Sequence, residues 1–323
     1  MTNKIYAESG PIRIGISACL AGESVRWNGG HCRDRFLTDT LGAYLEYVPV
    51  CPEVECGLGI PRETLRLTGD PDHPRLVTSK TQKDLTEQMQ HWAKSRVREL
   101  AGENLCGFIF KKDSPSSGLF KVKVYNDKGG FLKNGVGLFA RAFVEHFPLI
   151  PAEEEGRLND SGLRENFIES IFTLKRWRDT LKQDKRMGTL VDFHTHHKLL
   201  ILSHSPVHYR AMGKLVAEGK KTEPDALYQR YEELLLEALR LKTTTKKQVN
   251  VLQHMMGYFK KQLTGDEKKE LLEIIDEYRI GNAPLLVPIT LINHYIRKYE
   301  QPYLSRQVYL KPHPVELKLR TSL

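Results

Sequence analysis

Ile12-Arg13-Ile14-Gly15-Ile16, running into Ser17-Ala18-Cys19-Leu20, is the stretch that decides the fold. Its apolar residues read as a buried β-strand, and a thiol follows directly after its end. The arrangement recurs twice. Tyr47-Val48-Pro49-Val50 runs into Cys51, and Gly107-Phe108-Ile109-Phe110 runs toward Ser114-Pro115-Ser116-Ser117-Gly118. In a parallel sheet, ligands sit beyond the carboxyl ends of the strands. Two thiols and a hydroxyl-rich glycine loop would then meet at one rim. Thiolates scattered in sequence but gathered in space are how iron–sulfur or zinc sites are built.

Between these runs the chain reads as helix. Residues 36–44 lead to the second run. Residues 81–101 lead to the third, with Leu85, Met89, Trp92, Val97 and Leu100 on one apolar face. A further strand, Lys121-Val122-Lys123-Val124-Tyr125, ends at a turn over 126–130, and 137–146 is another helix. This βα alternation predicts an α/β domain over residues 1–173, with a mostly parallel sheet flanked by helices. The acidic run at 151–160 is either a solvated loop or a tie through Arg157, Asp160 and Arg164. From Ile168 onward strands disappear. Apolar residues at spacings of three and four predict helices over 168–182, 189–204, 206–218, 224–241, 246–262, 265–280 and 288–299. Residues 174–323 are therefore expected to form an all-α domain ending in an extended, proline-rich tail at 309–314.

Composition narrows the class. A chain of 323 residues, 40% of them hydrophobic, is long enough for two cores. It has no apolar run of ~18 residues, so no membrane span is expected. Residues 1–6 lack a signal-peptide core, which makes cytoplasm the expected compartment. Five cysteines are too few for a disulfide framework, so each is a buried thiol, a nucleophile or a ligand. Cys106, at the start of a strand, reads as a small core residue. The net charge of +9 is uneven. Residues 1–173 hold 22 Lys+Arg against 23 Asp+Glu, and residues 174–323 hold 27 against 17. Such an excess suits either a polyanionic partner, nucleic acid before membrane, or a merely solvated basic surface.

Cys51-Pro52-Glu53 places a thiol and a carboxylate on one tight turn. Glu53 is either a functional carboxylate or half of a salt bridge, with Arg62 as the nearest candidate. Ser114 is either functional or a turn cap. Cys32 and Cys56 are possible additional thiols without zinc-ribbon spacing. His194, His196, His197, His204 and His208 lack an HExxH-type carboxylate, and no metal is assigned to them.

These segments together resemble the thiouracil desulfidase family. The resemblance rests on Ile16–Leu20 (ISACL), Trp27–Asp34 (WNGGHCRD), Pro49–Glu53 (PVCPE), Gly57–Glu63 (GLGIPRE), SPSSG and Lys123–Tyr125 (KVY). The second half is similar to a companion domain of the YbgA type, through Phe193–Lys198 (FHTHHK), Asn250–Lys260 (NVLQHMMGYFK), Pro284–His294 (PLLVPITLINH) and Gln307–Pro314 (QVYLKPHP). The fusion resembles two-domain tRNA 4-thiouridine desulfidases. The resemblance implies a [4Fe-4S] cluster held at Cys19, Cys51 and position 117, with one iron left open. It also implies Glu53 as general base and Ser114 as its hydroxyl partner, in a nonredox removal of sulfur from a thiolated uridine. The chain departs from the family at Ser117, where SPSCG is expected. A hydroxyl is a poor ligand for soft iron. Either cluster binding is weak or absent, or Cys32, Cys56 or Cys106 substitutes. A tRNA partner would meet the basic half, with Lys175, Arg176, Arg178, Lys182, Lys185, Arg186, Lys246, Lys247, Lys260 and Lys261 as the expected phosphate contacts. Two alternatives stay open: a desulfidase of free thiouracil or a similar small base, and a noncatalytic tRNA-binding protein.

Overall fold

The computed structural model describes residues 10–321, so the segment read above for a leader, residues 1–6, lies outside it. The chain divides into two compact units, Met1–Asn159 and Asp160–Leu323.

The described residues of the first unit contain eight strands: β1 (Ile12–Ser17), β2 (Leu45–Val50), β3 (Leu65–Thr68), β4 (Arg75–Thr78), β5 (Gly107–Phe110), β6 (Val122–Tyr125), β7 (Phe131–Gly135) and β8 (Ala152–Glu154). Its helices are α1 (Ala18–Ala21), α2 (Pro52–Glu55), α3 (Thr86–Ala101) and α4 (Leu138–His146). The main sheet has the order β2-β1-β5-β8 and every pair in it is parallel. Register places Ser17 opposite Val50 and Ile16 opposite Ile109, so three strands end nearly level at one rim. Gly15 is required there: a Cβ would fall 2.1 Å from the Phe108 ring. That ring stacks on Phe110 at 4.2 Å and meets Phe143 at 4.7 Å in the core between the sheet and α4.

One feature of this unit differs from the sequence reading. The strand at Val122–Tyr125 does not join the main sheet. It lies in a second four-stranded sheet, β4-β3-β6-β7, in which only β3 and β6 run parallel. The acidic run, left open between a solvated loop and a tie to the sheet, is tied, because Ala152–Glu154 is the edge strand β8. Glu154 is buried and its Oε1 accepts the N–H groups of Leu119 and Phe120 at 2.8 and 3.0 Å. Arg157 pairs with Glu153 at 2.7 Å. Buried carboxylates are tolerated here because each has donors to accept.

The second unit is helical: α5 (Ser161–Leu181), α6 (Met187–His204), α7 (Pro206–Glu218), α8 (Pro224–Leu239), α9 (Thr245–Gly257), α10 (Gly265–Ile280), α11 (Leu286–Lys298) and α12 (Pro302–Ser305). The 173/174 division read from the sequence falls inside α5. That helix starts earlier, where the Asp160 carboxylate accepts the Leu163 N–H at 2.8 Å. A capping box of Thr264 and Glu267 starts α10. Leu252, Met255, Phe259, Leu271, Ile292 and Tyr309 are central to the core between the later helices. The tail expected to be extended begins instead with a 3-10 turn at Val308–Leu310. Among the described residues, no helix is long and apolar enough to cross a membrane.

Candidate active site

A cavity of about 350 Å³ opens at the carboxyl edge of the parallel sheet, and Cys19, Cys51, Glu53, Ser114 and Ser117 all line it. Each is carried there by the end of a strand. Cys19 sits in the one-turn helix α1 directly after β1. Cys51 caps α2 after β2, and Pro52 starts that turn with its φ preset. Past β5, the Lys111 N–H donates to Ser17 Oγ at 2.9 Å, which locks the ends of β1 and β5 together.

Glu53 is held from two sides. Its Oε2 accepts from Arg62 Nε at 2.9 Å and from Arg62 Nη2. Its Oε1 accepts from Ser116 Oγ at 3.0 Å. Ser116 Oγ lies 3.1 Å from Ser114 Oγ, which also accepts the Ser117 N–H at 3.1 Å. The ion pair and the turn cap weighed as alternatives are therefore both present, and both residues still face the cavity. Arg62 also donates to Val25 O at 2.9 Å, fixing its guanidinium within the wall.

The serine loop is rigid because it sits on the start of α4. The N–H of Phe139 donates to Ser116 O at 2.9 Å. A Cβ on Gly137 would lie 2.5 to 2.8 Å from the Ser116–Ser117 backbone, so only glycine permits this approach. Glu154 holds the following turn from below. Ser117 is 3% exposed.

Burial pushes the Cys19 thiol up to about 12; Cys32 and Cys51 add to the rise while Lys111 and Arg26 oppose it. Burial also raises Cys51. A cation at this spot would reverse that balance, because coordinated thiols lose their proton. As donors for an iron–sulfur group, the two thiols fit and the Ser117 hydroxyl is the hard member of the set. Among the substitutes named above, Cys106 is excluded by position: it is buried at the amino end of β5, opposite the rim. Cys56 contacts Glu53 O at 3.4 Å beyond α2. Cys32 is the thiol tied most directly to a ligand position, its N–H donating to Cys19 O at 2.9 Å.

Sequence reading missed Ser116, Lys111 and Trp27, which also line the cavity. Lys111 was accessible to the rule that already selected Cys19 and Cys51, since it directly follows β5. No sequence signal distinguishes Ser116 from its neighbours.

In the helical unit the expected phosphate contacts divide into two groups. Lys246, Lys260 and Lys261 are exposed, and Lys182 is exposed and paired with Asp179 at 3.4 Å. Lys185 is exposed and paired with Asp225, and Arg186 is exposed and paired with Asp184 at 2.9 Å. Lys175 is largely covered and bound to Asp179 at 2.6 Å. Arg176 donates to Pro312 O, and Arg178 is half-buried. Lys247 donates to the carbonyls of His204 and Lys242 at 2.7 and 2.8 Å, closing the end of α6. Of the histidines, His204 bonds Glu169 at 3.2 Å and His194 bonds Tyr231 at 3.1 Å.

Two family models match the chain. Residues 198–314 match a protein of unknown function, DUF1722, and residues 14–155 match 2-thiouracil desulfurase. The uncharacterized protein YbgA of Escherichia coli (strain K12) is 33% identical over 153 residues, covering 47% of this chain and 90% of that protein. The chain belongs to the YbgA family. The uncharacterized protein YbbK of Bacillus subtilis (strain 168) is 29% identical to this YbgA-family chain over 128 residues, covering 37% of the chain and 76% of that protein. A solved structure, the [4Fe-4S]-dependent thiouracil desulfidase TudS, is 28% identical, with a TM-score of 0.38, and covers 46% of this chain and 93% of its own. This member of the YbgA family is thus a two-domain, desulfidase-like protein whose 2-thiouracil desulfurase-like part, residues 14–155, contains every residue of the cavity.

Proposed function

We propose that this chain removes sulfur from a thiolated uridine of tRNA by hydrolysis, with its chemistry in the first unit and its RNA-holding surface in the second. The observation that carries the reading is the convergence of Cys19, Cys51, Ser117, Glu53 and Ser114 on one cavity within a desulfurase-like domain. Cys19 and Cys51 would hold a [4Fe-4S] cluster, with Ser117 at its third position. When bound, the cluster would supply Lewis-acid chemistry toward a thiocarbonyl.

The chain's own residues manage water and protons. Arg62 occupies Glu53 Oε2 and leaves Oε1 facing Ser116. Glu53 takes a proton from a water whose oxygen bonds to the thiocarbonyl carbon. The C–S bond then breaks, sulfur leaves as sulfide and the base becomes a carbonyl, with no net oxidation or reduction. Ser114 and Ser116 form the hydroxyl path by which that proton reaches the ring nitrogen or the departing sulfur. The exposed Lys182, Lys246, Lys260 and Lys261 supply the phosphate contacts, and a thiolated base would have to leave its stack to enter.

The test is an anaerobic incubation of the iron-reconstituted chain with 4-thiouridine-containing tRNA, following loss of the thiouridine absorbance band and release of sulfide. Turnover of tRNA supports the reading. Turnover of free 2-thiouracil alone would favour the second reading, a small-base desulfidase, for which the 2-thiouracil desulfurase match speaks. tRNA binding without sulfide release, even after Ser117→Cys, would favour a noncatalytic binding protein.

A further inference from the structure

Trp27 is 44% exposed, and it is the sole aromatic residue among the described residues lining the cavity. Leaving so much indole in water is costly unless something covers it. Its backbone is fixed from two directions. Arg62 N–H donates to Trp27 O at 2.8 Å, so the residue that pins Glu53 also pins the indole-bearing turn. On the other side the turn closes through Gly29 N–H to Arg26 O at 2.9 Å and Arg26 N–H to Gly30 O at 3.1 Å. Asn28 Oδ1 accepts the Gly30 N–H at 3.2 Å. Gly29 adopts φ +76° there, and a Cβ on it would meet Ile60, itself 42% exposed, at 3.7 Å.

A ring on a preset backbone loses little entropy when it is covered. The rest of the lining combines thiols, hydroxyls and charges with the small aliphatic side chains of Ala18, Val25, Val50, Pro52, Leu65 and Pro115, and none of these offers an aromatic face to a flat ring. We propose that Trp27 is a stacking platform that recognises the planar, unsaturated ring of a thiolated pyrimidine at the cavity mouth. This rests on the desulfidase reading of the same cavity and adds the group that selects flat substrates. The same ring chemistry is presented by a free base and by a nucleotide flipped out of RNA. Stacking is tolerant of what is attached to the base.

The experiment compares wild type, Trp27→Phe and Trp27→Ala, all iron-reconstituted, binding 2-thiouracil, its non-planar relative 5,6-dihydro-2-thiouracil, and 4-thiouridine-containing tRNA. Trp27→Ala is expected to raise the dissociation constant for 2-thiouracil by about tenfold or more. Trp27→Phe should stay near wild type. The dihydro compound should bind wild type weakly and be indifferent to Trp27→Ala. Indole fluorescence, corrected for absorption with a free tryptophan derivative, should be quenched by 2-thiouracil in wild type and not in Trp27→Phe, since Trp177 is buried and Trp92, packed on Phe139, does not line the cavity. Equal affinity of wild type and Trp27→Ala for the planar base would overturn the platform even in an active desulfidase. Quenching and the planar preference without sulfide release would leave the platform standing and remove the desulfidase reading. A penalty in Trp27→Ala seen with both 2-thiouracil and the tRNA identifies the base itself as what is stacked. A penalty seen with the tRNA alone would overturn base recognition in favour of a backbone contact.

Discussion

Ser116 donates its hydroxyl to Glu53 Oε1 at 3.0 Å and lies 3.1 Å from Ser114 Oγ, so it joins the two residues assigned to the chemistry. The carboxylate, the middle hydroxyl and the outer hydroxyl form one path. Its geometry is imposed by Arg62 at one end and by the start of α4 at the other.

Ser116→Ala breaks this path without altering the fold of a loop held by its carbonyls. The expected result is a fall in kcat of about tenfold or more with KM little changed, because proton transfer rather than binding is lost. An unchanged kcat would assign the proton to a water-only route.

Ser117→Cys adds a third thiol at a buried position on the rim. Iron retained per chain after anaerobic reconstitution and desalting should rise severalfold over wild type, with the sulfur-to-iron absorbance rising in step. Iron content equal in the two proteins would mean that Cys32 or another donor already completes the site.

In the helical unit, Arg320 bridges Glu165 and Glu169 at 2.8 and 2.5 Å. Burial and then the neighbouring Glu169 push the Glu165 carboxyl up to about 7. Against the upward push of burial, Arg320 and His204 hold Glu169 down to about 2. Glu165 therefore binds its proton more tightly folded than unfolded. Its contribution is full below its ordinary value of 4.5 and is lost as pH rises through about 7. Glu169 acts in the opposite sense, its contribution being lost as pH falls from 4.5 toward about 2. Glu165→Gln should flatten the decline in stability of this unit between about pH 5 and 8, read as thermal melting of helical ellipticity. A decline as steep as that of wild type would place the titration elsewhere.

Arg320→Met leaves Glu169 buried without its main cation. Loss of one partner of a buried pair costs about 3 kcal/mol or more, so urea unfolding should shift clearly to lower concentration. A shift no larger than that of a surface variant would mean that His204 alone satisfies the carboxylate.

Exposure separates the basic residues by effect. Lys260→Glu combined with Lys261→Glu should weaken tRNA binding and reduce its salt dependence. Lys175→Ala and Lys247→Ala should chiefly lower stability, since their ammonium groups serve Asp179 and the end of α6. Filter binding across a salt series, beside thermal melts, distinguishes the two classes. Equal binding losses from both pairs would contradict the division.

The strands β1, β2 and β5 were legible because each is a short apolar run, and buried parallel strands need no alternation to be recognised. Of the second sheet only β6 was read as a strand. Four of the five residues of β7 are exposed, and β3 and β4 are four-residue strands without a continuous apolar run. The acidic β8 stays undecided between loop and tie in the sequence because carboxylates mark surface until their donors are known, and the N–H groups that accommodate Glu154 lie 35 and 34 residues away in the chain. Cys19, Cys51, Glu53, Ser114 and Ser117, which line one cavity, could be singled out in advance because strand ends and motifs both point to them.

By itself the sequence determined the two kinds of architecture, the rim where side chains gather and the basic character of the helical half, since all three follow from local periodicity and composition. Only the tertiary structure decided that Arg62 orients both Glu53 and the Trp27 turn, that Ser116 rather than a neighbour bridges the site, and which lysines are consumed internally. Those outcomes depend on distances between residues remote in the chain, and a pattern of residue types carries no information about which of several equivalent donors will lie within hydrogen-bonding reach.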